Sequence, residues 1–297
     1  MFPKVPDQHK PGKPLVPTGL GVVYVVVSAA YLFFLHAFEF DVKLSSGNVS
    51  PTLTLAVCIL FGGFMGLLDD WIDLRWRYKA FFPLAAAVPL MAMTYRIYVT
   101  DPTLIRTRIT LPLLGTLDFG VYYFFVLIPL IVTVVTNTVN QLGGLNGLET
   151  VCPAIALVGL MIASGRNAVL LTLPLAVWLV LAFFNFQGKI FVGNTGSFAI
   201  GITLAAFAII SDVKWCLLIS LIPYIINSSM ILLNYFFFRT KANVSFDGKR
   251  LHSDHRRSLI TLITYKRPMT ERQVVAVIAF LVAVSTFAAV VAQRLLF

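Results

Sequence analysis

Charge is what this sequence has least of: only 12% of its 297 residues are Asp, Glu, Lys or Arg. Cysteine is scarce as well. Cys58, Cys152 and Cys216 lie in or beside apolar runs and none forms a Cys-x-x-Cys pair, which argues against a disulfide framework or a zinc ribbon. Strand-type alternation is missing from the apolar runs, so a closed membrane barrel is disfavoured. No internal repeat, low-complexity tail or linker divides residues 1–297, so a single domain is expected. The N-terminus is polar and proline-rich and offers no cleavable signal peptide, leaving the apolar spans themselves to direct insertion.

What is there instead is apolar. Hydrophobic residues make up 58% of the chain, mean hydropathy is +0.86, and runs near twenty residues recur, the length an α-helix needs to cross ~30 Å of hydrocarbon. The expected fold is an all-α polytopic integral membrane protein. Nine spans are read, at about 17–38, 51–69, 80–98, 119–138, 147–165, 167–186, 195–212, 214–238 and 273–296, with the tightest turn at Gly165-Arg166-Asn167. The net charge of +10 does not indicate nucleic acid, because basic residues in such a protein record topology.

With the N-terminus inside, sixteen basic residues fall on the cytoplasmic side, nine of them between Arg239 and Arg272. Seven fall opposite: Lys43, Arg96, Arg106, Arg108, Arg166, Lys214 and Arg294. The same orientation places the loops at 69–79, 139–147, 187–195 and 239–272 on the cytoplasmic face, and these hold most of the Asp, Asn, Gly and His. Function is therefore expected to face the cytoplasm.

Four stretches carry chemistry. Asp69, Asp70 and Asp73 close an apolar run, where acids are costly and mark function more often than a hydrated helix end; they could organise Mg²⁺ or accept a proton. Arg75 and Arg77 read as interfacial anchors beside Trp71, Trp76 and Tyr78, whereas Lys79 is a candidate phosphate ligand. The stretch Asn137–Glu149 holds three asparagines, a glutamine and three glycines. Its glycines admit close backbone approach and its amides suit a metal, base or phosphate, more than a helix–helix turn requires. Phe191-Val192-Gly193-Asn194-Thr195-Gly196-Ser197 is a glycine-flanked turn into a helix, by itself a weak anion signal. The basic loop from Arg239 to Arg272, with Lys241, His252 and His255, suits diphosphate or anionic headgroups, and no acid or cysteine cluster completes a zinc site around the two histidines.

In this order the motifs resemble the polyprenyl-phosphate N-acetylhexosamine-1-phosphate transferase family. Leu74-Arg75-Trp76-Arg77-Tyr78-Lys79 and Gly144-Leu145-Asn146-Gly147-Leu148-Glu149 are similar to the eukaryotic and archaeal dolichyl-phosphate branch, and the compact length suggests an archaeal member. The resemblance implies transfer of GlcNAc-1-phosphate from UDP-GlcNAc to a polyprenyl (dolichyl) phosphate with Mg²⁺, or Mn²⁺ in its place, as the first step of lipid-linked oligosaccharide assembly for N-glycosylation. It implies Asp69, Asp70 and Asp73 as catalytic acids, and Asn140 and Asn194 as metal ligands. Lys79, Asn137, Gly144, Leu145, Asn146, Glu149, Arg239, Lys241, His252 and His255 are implied on the substrates. It further implies a homodimer in the cell membrane of an archaeon or the ER membrane of a eukaryote. Three departures stand out. Asn194 replaces the family's metal-binding Asp, Asp73 replaces an Asn of the eukaryotic branch, and a helix that precedes the proline-rich segment in the family is expected to be missing. The rival readings are the same fold with another UDP-sugar, a catalytically silent relative, or a lipid-binding or transport protein. Transport is disfavoured because the polar motifs gather at one face rather than the midplane.

Overall fold

The structure, a computed structural model, describes residues 2–38, 50–103, 105–111 and 115–296. Lys43, counted above on the outer face, lies outside them. An N-terminal hairpin of β1 (Lys4–Pro6) and β2 (Leu15–Pro17) leads into α1 (Gly21–Ala37), α2 (Pro51–Ile72) and α3 (Trp76–Thr100). A second hairpin, β3 (Arg108–Leu111) and β4 (Gly115–Asp118), caps the far end before a π-helical turn at Tyr123–Leu127 opens into α4 (Ile128–Gln141). Next come α5 (Leu148–Ser164), a 3₁₀ turn (Gly165–Leu171), α6 (Thr172–Phe186) and α7 (Gly193–Ile210). The chain then forms α8 (Lys214–Ser220), α9 (Ile222–Phe238), a short hairpin β5 (Ser245–Phe246) and β6 (Leu251–His252), α10 (Leu259–Thr264) and α11 (Glu271–Leu296).

The span count differs from the sequence reading. Among the described residues six helices are long and apolar enough to cross a membrane, or seven if α8 and α9, bent by 57°, are taken as one span. The nine spans read from the sequence are not confirmed for two reasons: α1 has only 17 residues, and Leu148–Phe186 counts by length and composition as one helical run of 39 residues. That run nonetheless folds back on itself across Gly165–Leu171. Asn185, near its end, accepts hydrogen bonds from Gly147 N at 2.8 Å and Thr150 Oγ1 at 3.0 Å, near its start.

The pillar of the bundle is α7, buried at every position from Thr195 to Ile210. A helix apolar on all sides has no lipid- or water-facing stripe and belongs in the centre. Its closest neighbour is α2, whose Gly62 and Gly66, one turn apart, present no side chain to Ala199, Asn194 and Thr195 of α7. Small residues at that spacing let helices approach in a medium where burial alone does not drive association. Two large polar side chains inside the bundle are paired across helices, Tyr24 donating to Thr203 Oγ1 at 2.8 Å and Trp178 to the carbonyl of Thr150 at 2.8 Å.

Candidate functional site

The four polar stretches meet at one end of the bundle, and the N-terminal segment joins them. Phe191 N donates to Pro17 O at 2.8 Å, and Gly21 N to Val192 O at 2.9 Å. Asn137 at the end of α4 donates its amide to Ala80 O on α3 at 3.2 Å.

The aspartates that close α2 separate into different jobs. Asp69 is buried and its Oδ1 takes the Lys79 ammonium at 2.9 Å and Leu74 N at 3.1 Å, while Oδ2 is enclosed with no hydrogen-bond partner. The reversal that brings Lys79 back is made at Asp73, which takes the left-handed conformation (φ 47°) and donates its N–H to Asp69 O. The Asp73 carboxylate is exposed and meets Lys79 at 3.4 Å. Asp70 turns the other way and caps α7: it accepts from Asn194 N at 2.8 Å and from Thr195 N and Oγ1 at 2.9 and 2.7 Å. A carboxylate on the free N–H groups of a helix start is a strong cap. Gly193 is required beside it, because φ is +70° and a Cβ would lie 2.7 Å from Asp70 Oδ2. The Asn194 side chain has no hydrogen-bond partner among the described residues, nor has that of Asn140.

The amide-rich turn is held from three sides. Asn185 is fully buried and ties the turn together, accepting from Gly147 and Thr150 while donating to Ile190 O at 2.9 Å and Glu149 Oε1 at 3.3 Å. Glu149, half-buried, also accepts from Val192 N, which couples this turn to the start of α7. Asn146 is buried and donates to Asp7 Oδ2 at 2.7 Å and Glu271 Oε1 at 3.0 Å, with its own N–H on Glu271 Oε1 at 2.7 Å. Leu145 is a core side chain, so only its backbone faces the turn, whereas Gly144 is exposed with φ +88°. Asn185→Ala should leave two backbone groups, Gly147 N–H and Ile190 C=O, without their partner, each costing about 1–3 kcal/mol. Thermal unfolding in detergent micelles should show a markedly lower midpoint than for Gln187→Ala, a change at the exposed end of α6.

The basic loop frames the same end without touching the aspartates. Arg239 ends α9 in the left-handed conformation (φ 50°). Arg257 donates to Lys241 O at 3.1 Å, and Ser258 and Thr261 form a capping box at the start of α10, which Asn227 anchors through Leu259 N. His255 sits against Asn243 N and Ser253 Oγ, and His252 is exposed on β6. Among the described residues no hydrogen bond or ion pair joins Arg239, Lys241, His252 or His255 to Asp69, Asp70 or Asp73. The turn before β6 is fixed by Asp247, whose carboxyl the amides of Arg250 and Lys249 hold below its ordinary range. Trp76, packed edge-on to Tyr235 and Phe236 and covered by the Arg77 guanidinium, joins the start of α3 to the end of α9.

Asn185, Asp7 and Glu271 are structural members of this site that motif reading passes over, and Thr195 gains a role its motif does not show. None sits at a distinctive spacing; each acquires its role from a partner more than thirty residues away.

Such a bundle, with an ion pair and an amide-rich turn gathered at one end, defines a polytopic helical membrane protein with a polar site where its loops meet. The chain belongs to glycosyl transferase family 4, which matches residues 52–212. It is 29% identical over 299 residues to a protein of Saccharolobus solfataricus, covering 97% of this chain and 87% of that one; that protein bears the provisional name UDP-N-acetylglucosamine–dolichyl-phosphate N-acetylglucosaminephosphotransferase. The Saccharomyces cerevisiae enzyme of the same name is 28% identical over 264 residues, 74% of this chain and 58% of the yeast one. A phospho-N-acetylmuramoyl-pentapeptide-transferase of Streptococcus pyogenes is 27% identical over 250 residues, 79% of this chain and 71% of the bacterial one.

Proposed function

We propose that this protein transfers N-acetylglucosamine 1-phosphate from UDP-N-acetylglucosamine to a dolichyl-type polyprenyl phosphate. An oxygen of the lipid phosphate attacks the sugar-bearing phosphorus, the bond to the bridging oxygen breaks, and UMP leaves with that oxygen. The observation that supports this most is the Asp69–Lys79 pair beside the capped start of α7, set in a chain whose relatives carry this activity in their names. Lys79 is placed to hold the diphosphate and to balance charge as the phosphoryl group passes between oxygens. Asp69 holds the Lys79 ammonium in place through Oδ1. Asp70 acts by position, holding Asn194 and Thr195 in register with α2. The loop cations supply an attractive field for a nucleoside diphosphate, and the excess of basic residues on these loops supports a cytoplasmic site. A cavity of about 1040 Å³ runs along α4 and the α8–α9 bend, from Arg106, Arg108 and Asp212 at the far end of the bundle to Thr138. Its walls include Leu130, Ile131, Val134, Leu221 and Ile225 and offer an apolar surface for the prenyl chain.

The family implies Mg²⁺, and the donor set fits it: Asp69 Oδ2 is unpartnered, and the Asn140 and Asn194 side chains are free of other bonds. These are hard oxygen ligands of the kind Mg²⁺ takes. When bound, the ion would neutralise diphosphate charge. Asn194→Asp adds a full negative charge to this set and should lower the Mg²⁺ concentration needed for half-maximal transfer. Asp73→Asn should change it little, because the Asp73 carboxylate is exposed and meets only Lys79. The deciding assay gives purified protein radiolabelled UDP-N-acetylglucosamine, dolichyl phosphate and Mg²⁺, and scores labelled lipid together with UMP. Failure with several UDP-sugars and prenyl phosphates would leave a catalytically silent, lipid-binding relative as the reading.

A further inference from the structure

We infer that Asp7, His9 and Glu271 form a binding site for a divalent transition-metal ion that fastens the N-terminal segment to the amide-rich turn and to α11. One ligand atom from each of Asp7, His9 and Glu271 lies within 4.8 Å of the others. Atoms that coordinate one ion at about 2.0–2.2 Å stand up to about 4 Å apart, so only a small contraction completes the set. The group is not a solvated acidic patch. Asp7 and Glu271 are 2% and 7% exposed, and each is already fixed by Asn146.

One feature points to a cation between them. Lys10 pairs with Glu271 at 2.5 Å, while among the described residues Asp7 accepts only from neutral donors, His9 N and Asn146 Nδ2. Buried negative charge without a counter-charge is costly. The Asn146 amide nitrogen bridges the two carboxylates and holds them side by side. An imidazole and two carboxylates suit Zn²⁺, Co²⁺ or Mn²⁺ better than Mg²⁺. The residues are not those offered above for Mg²⁺, and the inference does not depend on the transferase reading.

The full chain in detergent micelles, stripped with chelator and dialysed, is titrated with Co²⁺ while its visible absorption is followed, then with Zn²⁺ in competition. One saturable Co²⁺ site with imidazole ligation is expected, displaced by Zn²⁺. His9→Ala and the isosteric Glu271→Gln should each weaken it at least ~10-fold, the scale on which even indirect partners of a metal act. Asn194→Ala should leave it intact. Lys10→Met removes a competing positive charge and should tighten binding roughly tenfold or more. Absence of saturable binding, or binding indifferent to His9 and Glu271, overturns the inference. So does a Lys10→Met protein that loses thermal stability and regains none with Co²⁺ or Zn²⁺, because the cluster is then a salt bridge to Lys10 and not a metal site.

Discussion

Replacing Lys79 by methionine should nearly abolish transfer and destabilise the protein at the same time. The ammonium meets Asp69, whose side chain is 1% exposed, at 2.9 Å, and its own side chain is 28% exposed. Removing one partner of such a pair strands a buried charge, and the loss should be about 3 kcal/mol, at the low end of the range because water reaches Lys79. Loss of a preorganised cation on the phosphoryl group should lower turnover by about 10²–10³-fold. The two effects can be separated. In the double variant Asp69→Asn/Lys79→Met no charge is stranded, so the unfolding midpoint should recover while activity stays lost. If activity returned with stability, Lys79 would be a structural residue only.

Gly66→Ala should have the larger effect on folding. A Cβ there would lie 2.2 Å from Asn194 O and 2.5 Å from Thr195 Cα, both backbone atoms that cannot rotate away. Overpacking ordinarily costs about 1–3 kcal/mol; here α2 must also shift from the start of α7, pulling Asp70 off Asn194 and Thr195. Thermal unfolding and size-exclusion profiles in micelles should show a poorly folded protein. Gly143→Ala is the matched comparison: its nearest contacts are 3.5 Å or longer, and its midpoint should barely move. Equal behaviour of the two variants would mean that the α2–α7 seam is slack.

The membrane bundle was legible because hydropathy is a local property, and the polar stretches were legible because an acid or an amide against an apolar run is conspicuous wherever it falls. The number of spans was less legible, since a 57° bend or a 17-residue helix makes no sharp mark in composition. Partnership was hidden altogether. Asp69, Asp70 and Asp73 read as one cluster, yet the left-handed turn at Asp73 sends them to a lysine, a helix start and solvent. Lys10 read as a topological charge and is tied to Glu271. Asn185 and Glu271 sit in ordinary helical sequence, and only the packing of distant helices makes them central. The three short hairpins, of two to four residues per strand, lack the length that periodicity needs to reveal a strand.

The link from Asp7 and Lys10 to Glu271 also has a consequence in time. The chain is made from its N-terminus, so its opening hairpin exists long before α11. Asn146 receives its Asp7 partner as soon as α5 is in place, but Glu271 arrives only with α11. The amide-rich turn is therefore latched late, by a segment made well after α5 closing on one made before it. Nascent chains stalled before α11 should have membrane-inserted helices and a turn open to proteases, and synthesis through α11 should remove that cleavage.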